Sequence, residues 1–150
     1  MTEITPIGIV RSPYKKHGDA PRQGRENEDN EMEIEIYEEY SAGIGDFSGI
    51  SHIIILLWFD RADRKRLFDT PPGTNKKRGI FTIRSPNRPN PIGFDIGKIK
   101  SVEGNKIIVS GLDALDNTPV VDIKPYVPSI DCVPDATDLR DRSKKADLKN

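Results

Sequence analysis

Apolar positions along this chain recur mainly at a spacing of two. Met32-Glu33-Ile34-Glu35-Ile36 alternates strictly, which predicts a strand with one buried and one wet face. Ile4, Ile7, Ile9 and Val10 form a short β-like opening that stops at Ser12-Pro13. Ser51 to Phe59, rich in Ile and Leu, has no polar face and predicts a fully buried strand. Ile80 to Ile83, Phe94 to Val102, Lys106 to Val109 and Pro119 to Ile123 read as further strands, with Gly104-Asn105 as a hairpin turn. On this pattern Phe59, Phe81 and Phe94 are expected to be buried. Helical character is confined to Glu38 to Ala42, a turn or two before Gly43. Tyr14 to Asn30 and Asp60 to Gly79 are polar and carry Gly and Pro, so both predict long loops.

Six or seven strands with minor helix predict an all-β chain. A small antiparallel β-barrel closes such strands without exposed edges. A chain of 150 residues suits one domain. We read residues 1–134 as the barrel domain and 135–150, charged and without aromatics, as a loosely docked tail.

The segment Arg84-Ser85-Pro86-Asn87-Arg88-Pro89-Asn90-Pro91-Ile92-Gly93 stands out. Its prolines fix φ and remove backbone donors, so it is a stiff extended connection. Stiffness combined with two arginines and two asparagines suits a binding site; a structural crossover with solvated arginines is the plainer alternative.

Charge is segregated. Glu26 to Asp46 holds nine acids and no Lys or Arg, whereas Arg61 to Arg88 holds nine basic residues and two acids, in a chain of net charge −1. This predicts either a basic face for a polyanion or pairing of the two segments across the fold.

Several chemistries find no support. Cys132 is the single cysteine and His17 and His52 the only histidines, so no disulfide and no His/Cys metal centre is expected. The longest apolar run, Ile53 to Phe59, is far short of a membrane span, and Met-Thr-Glu-Ile-Thr-Pro has no signal-peptide character. A cytoplasmic location is the expectation. Gly43-Ile-Gly45-Asp-Phe-Ser-Gly49 has the wrong spacing and flanks for a Rossmann fingerprint, so turns explain its glycines. Pro72-Gly73-Thr74-Asn75-Lys76 is not a Walker loop, and no G-x-S-x-G elbow is present.

Two more clusters carry polar chemistry: Ala20-Pro21-Arg22-Gln23-Gly24 in the early loop, and the run from Ser110 to Tyr126. In the second, Asp122 and Lys124 are i, i+2 neighbours on a short strand and project from one face, with Tyr126 beyond them.

Together, P-R-Q at 21–23, R-S-x-x-R-P-N-P-I-G at 84–93 and L-D-x-x-D-x-T-P-V-V-D-I-K-P-Y at 112–126 resemble the TsaA-like (TrmO) family. Ile7 to Tyr14 and Phe47 to His52 are similar to it as well, so the resemblance runs from about Ile4 to Pro134. It implies a β-barrel S-adenosylmethionine-dependent tRNA methyltransferase that modifies N6 of threonylcarbamoyl-adenosine beside the anticodon. It also implies a homodimer with the cofactor near the subunit interface. The family motifs carry cofactor contacts onto Pro21, Arg22, Gln23, Asp60, Arg61, Arg84, Phe94, Ile96, Leu112, Asp113, Ala114 and Leu115. Asp60-Arg61 departs from the His or Gln that other members often have there. Longer bacterial members carry an additional C-terminal domain, whereas this sequence ends at Asn150. The basic stretch from Arg61 to Arg78, above all Lys76, Lys77 and Arg78, and also Arg88, is then the expected tRNA surface.

N6 of the modified base belongs to a urea and needs its proton removed or polarised. Asp113, Asp116, Asp122 or the Asn90 side-chain oxygen can accept it. Asn90-Pro91 resembles the Asn-Pro pair of other adenine-N6 methyltransferases, a local analogy on a different fold. Lys124 or an arginine can meet the threonyl carboxylate, and Tyr126 can stack on a flipped base. Asp122, Lys124, Tyr126 and Asn90 are thus the expected catalytic group. A methyltransferase for another acceptor, a non-catalytic cofactor sensor and an RNA-binding barrel are the competing readings; the last wants exposed aromatics.

Overall fold

The computed structural model describes residues 2–13 and 30–140 of the chain. Pro21, Arg22, Gln23 and the final ten residues of the expected tail lie outside them. The described residues hold eight strands: β1 (Gly8–Arg11), β2 (Glu31–Ile36), β3 (His52–Trp58), β4 (Phe68–Asp69), β5 (Arg78–Gly79), β6 (Ile92–Glu103), β7 (Lys106–Ser110) and β8 (Pro119–Pro125). Six close into a barrel in the order β1-β2-β7-β6-β3-β8, and every pair is antiparallel. The fold is therefore the predicted all-β barrel, and closure leaves none of the six with an unpaired edge.

The alternation in the sequence sets the two faces. Met32, Ile34 and Ile36 point inward, as do Val10, Ile53, Ile55, Leu57, Ile107, Val109 and Val120, and together they form the core. β6 is pinned against this core by glycine: a Cβ at Gly93 would collide with the Phe59 ring, and one at Gly97 would press on Ile55 and Val109. Glu103 faces Lys106 directly, so Gly104-Asn105 is the tight turn that the sequence predicts.

Four expectations are corrected. Ile80 to Ile83 is no strand: after the two-residue β5 the chain turns in a 3-10 helix over Ile80–Thr82, and only Ile80 is buried. Its carbonyls are taken by a side chain, with Arg88 donating to the carbonyls of Ile80, Ile83 and Ser85 at 3.2, 3.1 and 3.1 Å. Phe81 is 80 % exposed and Phe94 is 45 % exposed, because one sits on that turn and the other on the outward face of β6. The Asp60 to Gly79 loop contains the β4–β5 ribbon. Glu38–Ile44 is a 3-10 helix, longer than predicted, and a short helix α1 spans Pro128–Asp131. Gly45 and Gly49 take φ of 53° and 84°, as turn glycines do.

Candidate functional site

β8 decides the site through one irregularity. Leu57 pairs with Val120 but Leu56 pairs with Asp122, so Val121 is bulged out of the ladder. A one-residue slip exchanges the faces of all that follows. Ile123 thereby turns inward against the core, while Asp122 and Lys124 emerge on the outside beside Leu56 and Ile54. Their side chains meet there, Lys124 Nζ to Asp122 Oδ2 at 2.8 Å. The bond from Asp122, then its charge, raises the Lys124 pKa. The Asp122 Oδ1 accepts from the Ile123 amide at 2.9 Å.

On the other side of β3 the register places Phe94 opposite Leu56 and Ile96 opposite Ile54. Two outer rows result, Phe94–Leu56–Asp122 and Ile96–Ile54–Lys124, each spanning two strand spacings of about 4.8 Å. Residues expected to touch cofactor and residues expected to touch substrate thus share one face, although almost thirty positions separate them in the chain. Tyr126 follows β8, with its amide donating to the His52 carbonyl at 3.0 Å.

The proline-rich segment borders this face, and neighbouring loops hold it in place. The Asp63 amide donates to Asn87 Oδ1 at 2.9 Å, Arg64 Nε to the Pro89 carbonyl at 2.8 Å, and Ser85 Oγ to Asp69 Oδ2 at 2.9 Å. The Ser85 bond, followed by that from the Thr70 amide, lowers the Asp69 pKa. Arg84 lies 5.9 Å from the Phe94 ring centroid. Arg64 lies 5.0 Å over the Trp58 ring and also donates to Asn90 Oδ1 at 3.3 Å. Ile4, Pro6, Trp58, Arg64, Asn90 and Val121 line an open groove of about 390 Å³ beside the two rows.

The segment after β7 seals the end of the barrel. Leu112 and Ala114 are buried in the core, and Asp113 and Leu115 are half-buried. Asp116 Oδ1 accepts from the Ser12 amide at 2.9 Å, and Arg61 Nη2 donates to the Asp116 carbonyl at 2.9 Å and to Thr118 Oγ1 at 3.2 Å. Arg61, which also pairs with Asp60 at 3.5 Å, therefore ties the loop after β3 to the turn before β8. Arg88 is likewise engaged inside its own loop.

Sequence reasoning overlooked Asp95. It is buried on the inward face of β6, where Asp113 and Arg84 act on its carboxyl. Apolar burial first, then the Asp113 charge, pushes its pKa up to about 8, against the opposing pull of Arg84. The available signal was Gly93-Phe-Asp95-Ile-Gly97, an acid sharing a strand face with two close-packed glycines.

Lys76, Lys77 and Arg78 stand on and before β5, with Lys77 Nζ 5.0 Å over the Phe68 ring. Leu67, Phe68 and Phe81 are exposed on the same ribbon and the turn after it. Among the described residues no ion pair joins Arg61–Arg88 to the acidic segment; Arg66 pairs locally with Asp63 and Asp69, while Glu33 and Glu35 pair with Lys106 and Arg11. Among the described residues no group of three His, Cys, Asp or Glu is arranged to hold a metal, and no helix is long and apolar enough to cross a membrane.

Known proteins are similar to this chain. An S-adenosyl-L-methionine-binding protein of Archaeoglobus fulgidus is 52% identical over 130 residues, covering 87% of this chain and 93% of its own. The tRNA (adenine(37)-N6)-methyltransferase of Escherichia coli K12 is 36% identical over 141 residues, 87% of this chain but 60% of its own. The crystal structure of TrmO from Pseudomonas aeruginosa superposes with a TM-score of 0.76 at 30% identity, over 91% of this chain and 61% of that one. This chain thus spans about three-fifths of the length of those last two proteins. Residues 9–132 match the family model described as the tRNA-methyltransferase O N-terminal domain, and with the barrel and its motifs they establish that the chain belongs to that family.

Proposed function

We propose that this chain is an S-adenosylmethionine-dependent tRNA methyltransferase acting on N6 of the adenine 3′ of the anticodon, with threonylcarbamoyl-adenosine as its acceptor. The observation that carries the reading is the convergence of the proline-rich segment, β6 and β8 on one outer face, in a chain similar to an enzyme named for that tRNA chemistry.

The donor set suits the cofactor. Arg84 offers a cation for a carboxylate, Phe94, Ile96 and Leu115 offer apolar contact, and Asp113 backed by Asp95 offers negative charge for a cationic ligand. Pro21, Arg22, Gln23, Asp60, Arg61, Leu112 and Ala114 complete the proposed cofactor set. When bound, S-adenosylmethionine supplies the methyl group as a sulfonium. The chain's own part is positioning and proton handling. Asp116 already takes the Ser12 amide, Asn90 takes Arg64, and Asp113 meets Asp95. Asp122 also has partners, Lys124 and the Ile123 amide, but both lie on the exposed shared face, and on that placement it is our preferred acceptor for the N6 proton, with Asn90 positioning the base. Lys124 meets the threonyl carboxylate, and Tyr126 stacks on the flipped base.

The basic ribbon with Lys76, Lys77 and Arg78 is the proposed tRNA surface, and exposed Phe68 and Phe81 give it faces for unpaired bases. Arg88, committed to three carbonyls, serves this surface by shaping its loop. Exposed Ile92 and Phe94 on the outer face support a homodimer in which a second copy covers the cofactor. Action on tRNA supports a cytoplasmic location.

Transfer of labelled methyl from S-adenosylmethionine to tRNA, with and without the threonylcarbamoyl group, tests this. Label on modified tRNA alone is expected; label on neither overturns it. The Archaeoglobus relative, named for binding alone and of similar length, favours a second reading as a cofactor-binding sensor. Cofactor binding without transfer to any RNA would select that reading.

A further inference from the structure

The outer face continues past the Phe94–Leu56–Asp122 row. Trp58, two residues beyond Leu56 on β3, shares its outward side and pairs with the exposed Ile92. Val121, bulged out of β8, walls the same spot together with Ile4 and Pro6, and the groove of about 390 Å³ opens between them. That volume lies within the ~300–1,000 Å³ of pockets that hold small ligands.

The groove is rigidly framed. The Phe59 amide donates to the Pro91 carbonyl at 2.8 Å and the Ile92 amide to the Asn90 carbonyl at 2.7 Å, which fixes Asn90-Pro91 against the end of β3. Arg64 is fastened in three ways. Its guanidinium stands 5.0 Å from the Trp58 ring centroid, its Nε donates to the Pro89 carbonyl at 2.8 Å, and its Nη2 donates to Asn90 Oδ1 at 3.3 Å. Arg64 is also the one charged side chain among the described residues that line the groove. An aromatic ring with a fixed guanidinium beside it suits a flat ring with a π-face, and a cation with no lining carboxylate suits an anionic carrier. An unpaired nucleobase on its phosphate backbone meets both demands.

Position selects which base. Along the outer face the order is Tyr126 beside His52, Lys124 beside Ile54, Asp122 beside Leu56, and then Trp58. A base whose N6 meets Asp122 and whose threonyl carboxylate meets Lys124 extends toward Tyr126, away from the groove. Trp58 is the diagonal neighbour of Asp122 on the adjacent strand, about 7–8 Å away, a distance that one splayed nucleotide step spans. We propose that the Trp58–Arg64 groove seats the unpaired base next to the acceptor in the anticodon loop, so that the chain reads a flanking nucleotide as well as the modified adenine, a role that rests on the tRNA reading above.

Trp58 is the chain's one tryptophan, so its fluorescence reports on this groove directly. The full chain is titrated with an anticodon stem-loop that carries threonylcarbamoyl-adenosine, and with two versions in which the nucleotide on one side or the other of it is abasic. We expect the intact loop to change the emission. At least one abasic version should lose that change and bind about tenfold more weakly. Arg64→Met should weaken the intact loop by a similar factor, at unchanged Tm, and weaken that abasic loop no further, a coupling that a merely structural role would not give. The fluorescence titrations use wild type alone, so they decide the matter even if the variant does not fold. An emission change that survives in both abasic versions, or none on an intact loop that binds and is methylated, overturns the inference and leaves the methyltransferase reading standing. An intact loop that neither binds nor accepts methyl overturns both.

Discussion

Lys124 holds Asp122 at 2.8 Å on the outside of β8, one strand away from Leu56 and Ile54 and two from Phe94 and Ile96. Both partners are well exposed, so their ion pair contributes little to the fold and leaves them available to a ligand. Lys124→Met and Asp122→Asn are therefore expected to leave Tm unchanged. Each should lower tRNA methylation about tenfold or more, Lys124→Met mainly through KM for modified tRNA and Asp122→Asn mainly through kcat. Loss of Tm in step with activity would show that the pair serves the fold instead.

Arg88 presents the opposite case. Its guanidinium closes the turn after β5 by donating to three carbonyls, and it is half-buried in doing so. Arg88→Ala is expected to destabilise the chain by about 2–4 kcal/mol, a fall in Tm of roughly 5–15 °C. Arg88→Lys should rescue little, because an ammonium cannot span the fork. Thermal melts check this, and an unchanged slope of tRNA affinity against salt would separate it from a phosphate contact.

Asp95 makes stability depend on pH with an unusual sign. Its folded pKa of about 8 lies above that of an unfolded carboxyl, so the folded state binds the extra proton. Stability from this group is full at low pH, falls as pH rises from about 4 to 8, and levels off above that. Asp95→Asn, which cannot ionise, is expected to gain on wild type as pH rises, by on the order of 4 kcal/mol at about pH 9 relative to pH 5. Melts at the two pH values check it; an identical difference at both would remove Asp95 as the titrating group.

The basic ribbon is expected to hold tRNA through phosphate charge and base stacking together. Reversing Lys76, Lys77 and Arg78 to Glu should weaken tRNA binding and flatten its dependence on salt by roughly one unit of log–log slope for each phosphate that is no longer neutralised. Phe81→Ala should weaken binding about tenfold with no change in Tm, since the ring is 80 % exposed. Filter binding across a salt series reads both, and an unaltered slope would move the footprint elsewhere.

Gly93 is a packing position. Gly93→Ala drives a methyl group into the Phe59 ring, and is expected to cost about 1–3 kcal/mol. Phe59→Leu in the same chain should recover part of that stability, a coupling that denaturant melts of the double mutant would read.

Much of this protein is determined by short-range pattern. Alternation in Met32–Ile36, the apolar run of β3, the turn at Gly104-Asn105 and the scarcity of helical periodicity suffice for an all-β barrel, because burying one strand face is a local demand that sequence writes directly. The motifs legible at 84–93 and 112–126 also lie where the structure gathers its polar groups. Other features depended on neighbours distant in sequence. Pro119 to Ile123 reads as one continuous strand, and only the bulge against Leu56 and Leu57 turns Asp122 outward and Ile123 inward. Ile80 to Ile83 has strand composition, yet Arg88 takes its carbonyls and the ladder ends. Phe81 and Phe94 are hydrophobic by type, but barrel closure buries one face of each strand and leaves them on the other. Asp95 looks like any strand acid until Asp113, Arg84 and the close-packed glycines enclose it. Sequence specifies which faces can be buried, whereas register and closure, set by packing summed around the whole barrel, decide which groups meet.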